Sequence, residues 1–340
     1  MSGVWRLDRR AALGLGLSLP LLLPLARRPR AQTLDKLSFH TDWRAQAEHG
    51  GYYQAVAAGI YRKHGIECDL RQGGPSLNIS QLLLAGRVDM VMSNSFEAFT
   101  YVREDAPFFT IAAIFQKDPQ VLIGHPDTGF DSFDKLQGRT LLIGNGGRVT
   151  YWPFLRRKYD LTDTQLRPYN FNMAPFLADR NAVQQGFVSS EPYSIEQALG
   201  RPPVVLLIAD AGFSAYNTTI AISRRMATEK KDLVQRFVAA SLEGWAQYLK
   251  GGPGIAAANA LIKQANPEQT DDRIAYAIKV LNQRGIVLSG DALQSGIGAM
   301  TDRRWKEFYD SMVAVGVLPP GLDVARTHTL EFVNKGIGKP

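Results

Sequence analysis

Residues 36–94 alternate short apolar runs with helix-like stretches, and this alternation constrains the fold more than any other feature. Residues 37–41, 66–70 and 88–92 read as strands. Between the first two, residues 49–64 place Tyr53, Val56, Ala57, Ile60 and Tyr61 at helical spacing, with Gly65 suited to stop the helix. Between the second and third, Gly73-Gly74-Pro75-Ser76 turns the chain, and Ser76 or Asn78 can cap a helix ending near Gly86. This order predicts an α/β fold, a parallel sheet with helices on both faces. Such sheets bind ligands outside the carboxyl ends of their strands. Here those ends carry Asp42-Trp43, Gly73-Gly74 and Ser93-Asn94-Ser95.

The formal net charge of +7 would suggest an anionic partner, but much of it sits at the start of the chain. Residues 1–31 contain six arginines and one aspartate, and without them the balance falls to +2. Nucleic-acid binding therefore gains no support from charge. The same 31 residues read as an export signal: a basic start, then an apolar run over 11–26 interrupted by Pro20 and Pro24. Arg9-Arg10 directly before that run suits the twin-arginine route, with the general secretory route as the alternative. The single cysteine, Cys68, falls in the second strand and reads as a buried strand residue.

A second unit of similar logic follows. Residues 110–115 and 120–125 are strand-like, 130–136 a short helix, and 140–143 a strand entering Gly144-Asn145-Gly146-Gly147 before a helix over 151–159. That glycine-rich turn is either a generic tight turn or one that aims backbone N–H groups at a ligand. No Gly-Lys-Ser/Thr follows it and GxGxxG is absent. Further strands are expected at 167–171, 182–188 and 204–208, a short helix at 173–180, and an extended run at 213–223. The chain would then cross between two units twice, near 115–121 and 209–216. The remainder is expected to be helical at 231–249, 259–264, 271–281, 302–315 and 329–335.

Several residues are candidates for ligand contact. Trp43, past the end of the first strand, can offer a ring face to a flat ligand or pack the surface. His49 can donate to a ligand or satisfy a helix end. Ser93 and Asn94 supply hydroxyl and amide groups at a strand end. Asn145, Gly146 and Gly147 form the second unit's turn. Glu191 precedes Pro192, which favours an extended backbone there and would fix the direction of the carboxylate. Tyr193 and Tyr216 could face Trp43 or pack the interior. No His/Cys/Glu cluster has metal-ligand spacing.

The stretches DWRAQAEHGGYYQAVAAGIYRKHGIECDL and LLLAGRVDMVMSN resemble the solute-binding proteins of ABC importers, in the branch related to thiamine-pyrimidine synthase. Relatives in that branch serve pyrimidines, sulfonates, nitrate and taurine. The resemblance continues through LIGHPDTGFDSFDKLQGRTLLIGN and AVQQGFVSSEPYS to about residue 249. It implies a periplasmic-binding-protein-like fold of type II: two lobes with parallel-dominated sheets, two crossovers and a helical C-terminal tail. Lobe one would comprise 32–120 and 211–340, lobe two 121–210. It also implies that Trp43 and Glu191 face the cleft.

The fungal synthase branch uses a lysine that anchors pyridoxal phosphate and a histidine four residues on. Ser93 and Glu97 stand there, and residues 211–219 lack that branch's cysteine-rich run. The expectation is a binding protein without a cofactor, monomeric and periplasmic. Its partners would be a small solute, leaning toward a planar heteroaromatic, and an inner-membrane ABC permease. A pyrimidine-precursor enzyme, an importer component for sulfonate-like anions and a sensor module are the alternatives.

Overall fold

The computed structural model describes residues 33–74 and 77–340. The export-signal reading with its Arg9–Arg10 pair, and the Ser76 cap, lie outside these residues. Ten strands form two five-stranded sheets. The first contains β1 (Asp35–His40), β2 (Ile66–Arg71), β3 (Met90–Ser93), β4 (Phe108–Phe115) and, from much later in the chain, β10 (Asn217–Ser223), in the order β2-β1-β3-β10-β4. The second contains β5 (Gln120–Gly124), β6 (Thr140–Ile143), β7 (Leu166–Pro168), β8 (Ala182–Phe187) and β9 (Val204–Leu207), in the order β7-β6-β8-β5-β9.

The sheets share one plan with two strands exchanged. The chain leaves the first sheet through edge strand β4 and enters the second at β5, beside the parallel trio. It leaves the second through edge strand β9 and returns at β10, again beside the trio. The trios are parallel as expected, β1 with β2 and β3, and β6 with β7 and β8. The entering strands β10 and β5 run antiparallel to both neighbours, so each sheet is mixed, with its other four strands in one direction as the parallel-dominated expectation required. The direction of each entering strand is set by where the chain leaves the other lobe.

Two local readings need correction. The helix expected over 49–64 breaks into Gly50–Ala57 and Ile60–Lys63, because Gly59 takes a left-handed backbone (φ 66°) between them. The helix expected over 329–335 is absent. That segment bonds to the loop over 295–300 instead: Asn334 holds the Met300 backbone on both sides, and Gly336 N–H donates to the Ser295 carbonyl at 2.9 Å.

Helix Lys231–Tyr248 covers the first sheet. Phe39 packs on Tyr52 and Phe237 at 4.6 and 5.4 Å between ring centres, and Trp245 meets Tyr52 and Phe115 edge-on. The close crossing of this helix with Gly50–Ala57 depends on missing side chains. A Cβ on Gly51 would lie 2.1 Å from the Trp245 ring, one on Gly50 1.9 Å from Tyr248, and one on Gly244 2.3 Å from the Gly51 carbonyl. Gly50 and Gly51 therefore serve the close helix packing.

The crossings run over 116–119 and 208–216. Asp118, buried, accepts the Gln120 N–H and the Asn217 side-chain amide, each at 3.0 Å, so it ties the outward crossing to the return strand. Lys117 and Asp210 pair across the two crossings at 3.1 Å. The tail also grips them. From helix Asp302–Ala314, Arg304 donates to the Gln116 and Ser214 carbonyls and lies 4.1 Å over the Tyr216 ring.

Burial raises the Asp118 carboxyl above its usual 3.8, with the Asn217 and Gln120 bonds opposing that rise. A carboxyl raised on folding contributes stability that is full below the unfolded value and is lost as pH climbs through the folded one. Asp118→Asn removes this dependence. The stability of the variant relative to the parent should therefore shift in the variant's favour as pH rises from below 4 to neutrality. Urea denaturation across that range checks the sign, and a constant difference would remove Asp118 as its source.

Candidate functional site

The carboxyl ends of β1 and of the second lobe's trio face one region. Gly73 makes the first wall possible: its N–H donates to the Trp43 carbonyl at 2.9 Å, and a Cβ there would lie 2.5 Å from the Asp42 backbone. Trp43 is half-buried and projects to the second lobe, where its ring lies 5.3 Å from Phe171 at an angle of 41°. Phe171 in turn contacts Tyr169 at 5.5 Å. Residues 167–171 were expected as a strand, but β7 ends at Pro168 and Phe171 has a left-handed backbone.

A polar arrangement lies on the same chain segment. His49 is buried, with Nε2 3.3 Å from Asp42 Oδ1 and Nδ1 unpartnered. Glu48, also buried, accepts the Ser189 hydroxyl from the second lobe. Glu191 is the first residue of helix Glu191–Leu199 and not an extended residue. Pro192 sits in the helix's first turn, where its missing N–H has no intrahelical partner to lose. The Glu191 carboxylate accepts the Phe187 N–H at 2.7 Å. Burial pushes its carboxyl up, the Phe187 bond opposes this, and the Glu48 charge adds to the rise while Arg273 works against it. The Glu191 carboxyl thus feels a carboxylate that comes from the other lobe. Tyr169, close enough to feel Glu191, has its hydroxyl raised by burial and by that charge.

The other expected residues sit elsewhere. Asn94 caps helix Ser95–Arg103, its side-chain oxygen accepting from Phe96 and Glu97 N–H at 2.9 and 3.1 Å. Only its amide N–H groups remain for a ligand. Ser93 is buried, paired with Thr219 of β10, and its Oγ has no partner. Tyr216, read as either a face opposite Trp43 or interior packing, is buried at the return crossing. Its hydroxyl donates to Asp291 at 2.7 Å and accepts from Thr301 N–H, and Arg304 covers its ring. Tyr193 packs on Tyr276 of the tail at 5.3 Å and not on Trp43. Asn145, Gly146 and Gly147 form the first turn of helix Asn145–Val149 at the end of β6, with Asn145 and Gly146 exposed. The Gly144 N–H before them is already taken by Gln185 at 2.6 Å.

Sequence reasoning missed Glu48, Phe171 and Tyr169. Glu48 lies in a 3-10 turn (Ala47–His49) with no periodicity to mark it. Phe171 and Tyr169 were read only as strand residues.

Pyridoxal phosphate does not fit these residues. Ser93 has no amine, and the Glu97 carboxylate holds the Ser80 hydroxyl at 3.0 Å. Burial, with the Asp69 charge, pushes the Cys68 thiol up to about 12, so it is no thiolate at neutral pH. Among the described residues no group of three or more His, Cys, Asp or Glu is placed to hold a metal ion, and no helix is long and apolar enough to cross a membrane.

Comparison with known proteins agrees with this architecture. The riboflavin-binding protein RibY of Chloroflexus aurantiacus is 25% identical over 332 residues, covering 92% of this chain and 90% of RibY. A 4-amino-5-hydroxymethyl-2-methylpyrimidine phosphate synthase of Aspergillus parasiticus is 21% identical over 117 residues, 34% of each chain. In fold, the alkanesulfonate-binding protein SsuA of Xanthomonas axonopodis, solved with MOPS, superposes with a TM-score of 0.62 at 13% identity, covering 86% of this chain and 98% of SsuA. The family model described as NMT1/THI5 like matches residues 46–253, well over half of the sequence. The chain belongs to the NMT1/THI5-like family.

Proposed function

We propose that this protein is the solute-binding component of an ABC importer and that its solute is a planar heteroaromatic. Residues 1–31 would export it to the periplasm, by the twin-arginine or the general secretory route. There it would act as a monomer, closing lobe one (32–120 and 211–340) and lobe two (121–210) on the solute and delivering it to an inner-membrane permease. The observation that carries this reading is Trp43, held at the end of β1 by Gly73 with its ring turned to the other lobe. His49 and Glu191 would serve the ring's polar edge.

The 25% identity with a riboflavin-binding protein along nearly the full chain supports the same class of solute. Glu48 and Glu191 bring no positive charge to a sulfonate or nitrate, whereas either can hydrogen-bond a ring N–H or amine. The synthase reading is disfavoured because an enzyme of that kind needs the missing lysine. Nothing in closure requires covalent chemistry: a solute that binds the closed state more tightly than the open one suffices.

Calorimetric titration with riboflavin, 4-amino-5-hydroxymethyl-2-methylpyrimidine and taurine tests the reading. At least one heterocycle should bind and taurine should not. Trp43→Ala should weaken that binding by about 1–3 kcal/mol through lost aromatic burial. Tight binding of taurine with no response to the heterocycles would overturn it.

A further inference from the structure

Phe171 is a large apolar side chain left in solvent. It is 62% exposed, yet its backbone has φ 58°, a left-handed conformation that bulky residues avoid. The lobe's interior does not require it: Phe176 and Tyr169, on either side, are the buried aromatics there. The chain on both sides is nonetheless fixed. Strand β7 ends three residues before it, and the next residue, Asn172, accepts the Ala174 N–H at 2.9 Å to start helix Ala174–Ala178. The left-handed backbone between these anchors turns the ring out of its own lobe and onto Trp43 of the other, 5.3 Å away. Strained residues that persist against their intrinsic cost concentrate at ligand clamps.

We propose that Phe171 is the second face of a ligand clamp, lying on a flat ring from the side opposite Trp43, so that the two aromatic residues together select planar ring systems. This rests on the reading of the protein as a binder of planar solutes. Contact on both faces of a ring needs a separation of about 7 Å, two contacts of about 3.5 Å. The present spacing between ring centres is 5.3 Å with a tilt of 41°, so an opening of about 2 Å and a rotation that removes the tilt would admit a ring between the two side chains. Both walls would be hydrocarbon faces, with no group between them to satisfy a tetrahedral anion. Ligand thickness and flatness, more than any single hydrogen bond, would then set what the cleft accepts.

The test uses riboflavin and 4-amino-5-hydroxymethyl-2-methylpyrimidine as probes, with calorimetric titration and thermal melting of the parent, Phe171→Ala, Phe171→Asn and Phe171→Tyr. Asparagine tolerates the left-handed backbone but has no ring, so it separates strain from stacking. We expect Phe171→Ala and Phe171→Asn to weaken binding on the order of tenfold or more, and Phe171→Tyr to stay within about twofold. Phe171→Asn should melt no lower than the parent, a split between stability and affinity that a structural role would not produce. If Trp43→Ala weakens binding while Phe171→Ala and Phe171→Asn bind as the parent does, the clamp is overturned and the one-sided site stands. If the parent binds neither probe, both the clamp and the planar-solute reading fall.

Discussion

Gly51→Val should cost the protein more than about 3 kcal/mol, beyond the usual range for an overfilled core. The added carbon would begin 2.1 Å from the Trp245 ring, in the tight crossing of helices Gly50–Ala57 and Lys231–Tyr248. Neither partner can yield cheaply. Trp245 is fully buried against Tyr52, Phe115 and Tyr248, and Gly244 faces the Gly51 carbonyl from the same helix as Trp245. Gly51→Ala sharpens the question because two effects oppose. Alanine is favoured over glycine within a helix by about 1 kcal/mol, and the clash should outweigh that. Gly254→Ala, with nothing within 4 Å of the new carbon, is the control and should change little. Urea denaturation of the three variants decides the matter, and a Gly51→Ala protein more stable than its parent would show that the helices can separate freely.

Arg304→Ala should destabilise by about 3 kcal/mol, the order expected when one member of a buried polar network is removed. Its guanidinium holds one carbonyl on each crossing, at Gln116 and Ser214, and lies 3.9 Å from Asp291, which is itself bound to Tyr216. Burial holds the guanidinium's pKa below its ordinary value. Arg304→Lys keeps a charge but loses the fork that reaches two carbonyls, so it should recover less than half of the loss. A lysine variant as stable as the parent would mean that charge alone secures the crossings.

Much of this architecture was legible in the sequence, and the failures have physical causes. Strand 140–143 coincides with β6, and the helices over 231–249 and 302–315 are present within a residue at either end, because long amphipathic periods and short β-branched runs are local signals. Strand direction was less legible. Whether β10 runs parallel or antiparallel to β3 depends on where the second lobe hands the chain back, which no window of residues records. Glu191–Leu199 was missed because Pro192 was weighed as a strand-like bias on its neighbour and not as a first-turn helix residue. The cleft was half visible. Trp43 stood out at a strand end, whereas Phe171 acquires meaning only when two distant segments meet. Tyr216 could not be decided between the two alternatives because its partners, Asp291, Thr301 and Arg304, lie 75 to 88 residues further along the chain.

The burial of the tryptophans gives the molecule an optical asymmetry. Trp152, Trp245 and Trp305 are each at most 2% exposed, while Trp43 is half-buried. Among the described residues it is the one indole that a water-borne collisional quencher such as acrylamide can reach. In a protein lacking residues 1–31, and with them Trp5, the quencher-accessible indole emission would come from Trp43, and shielding of that fraction would report the proposed closure without a label.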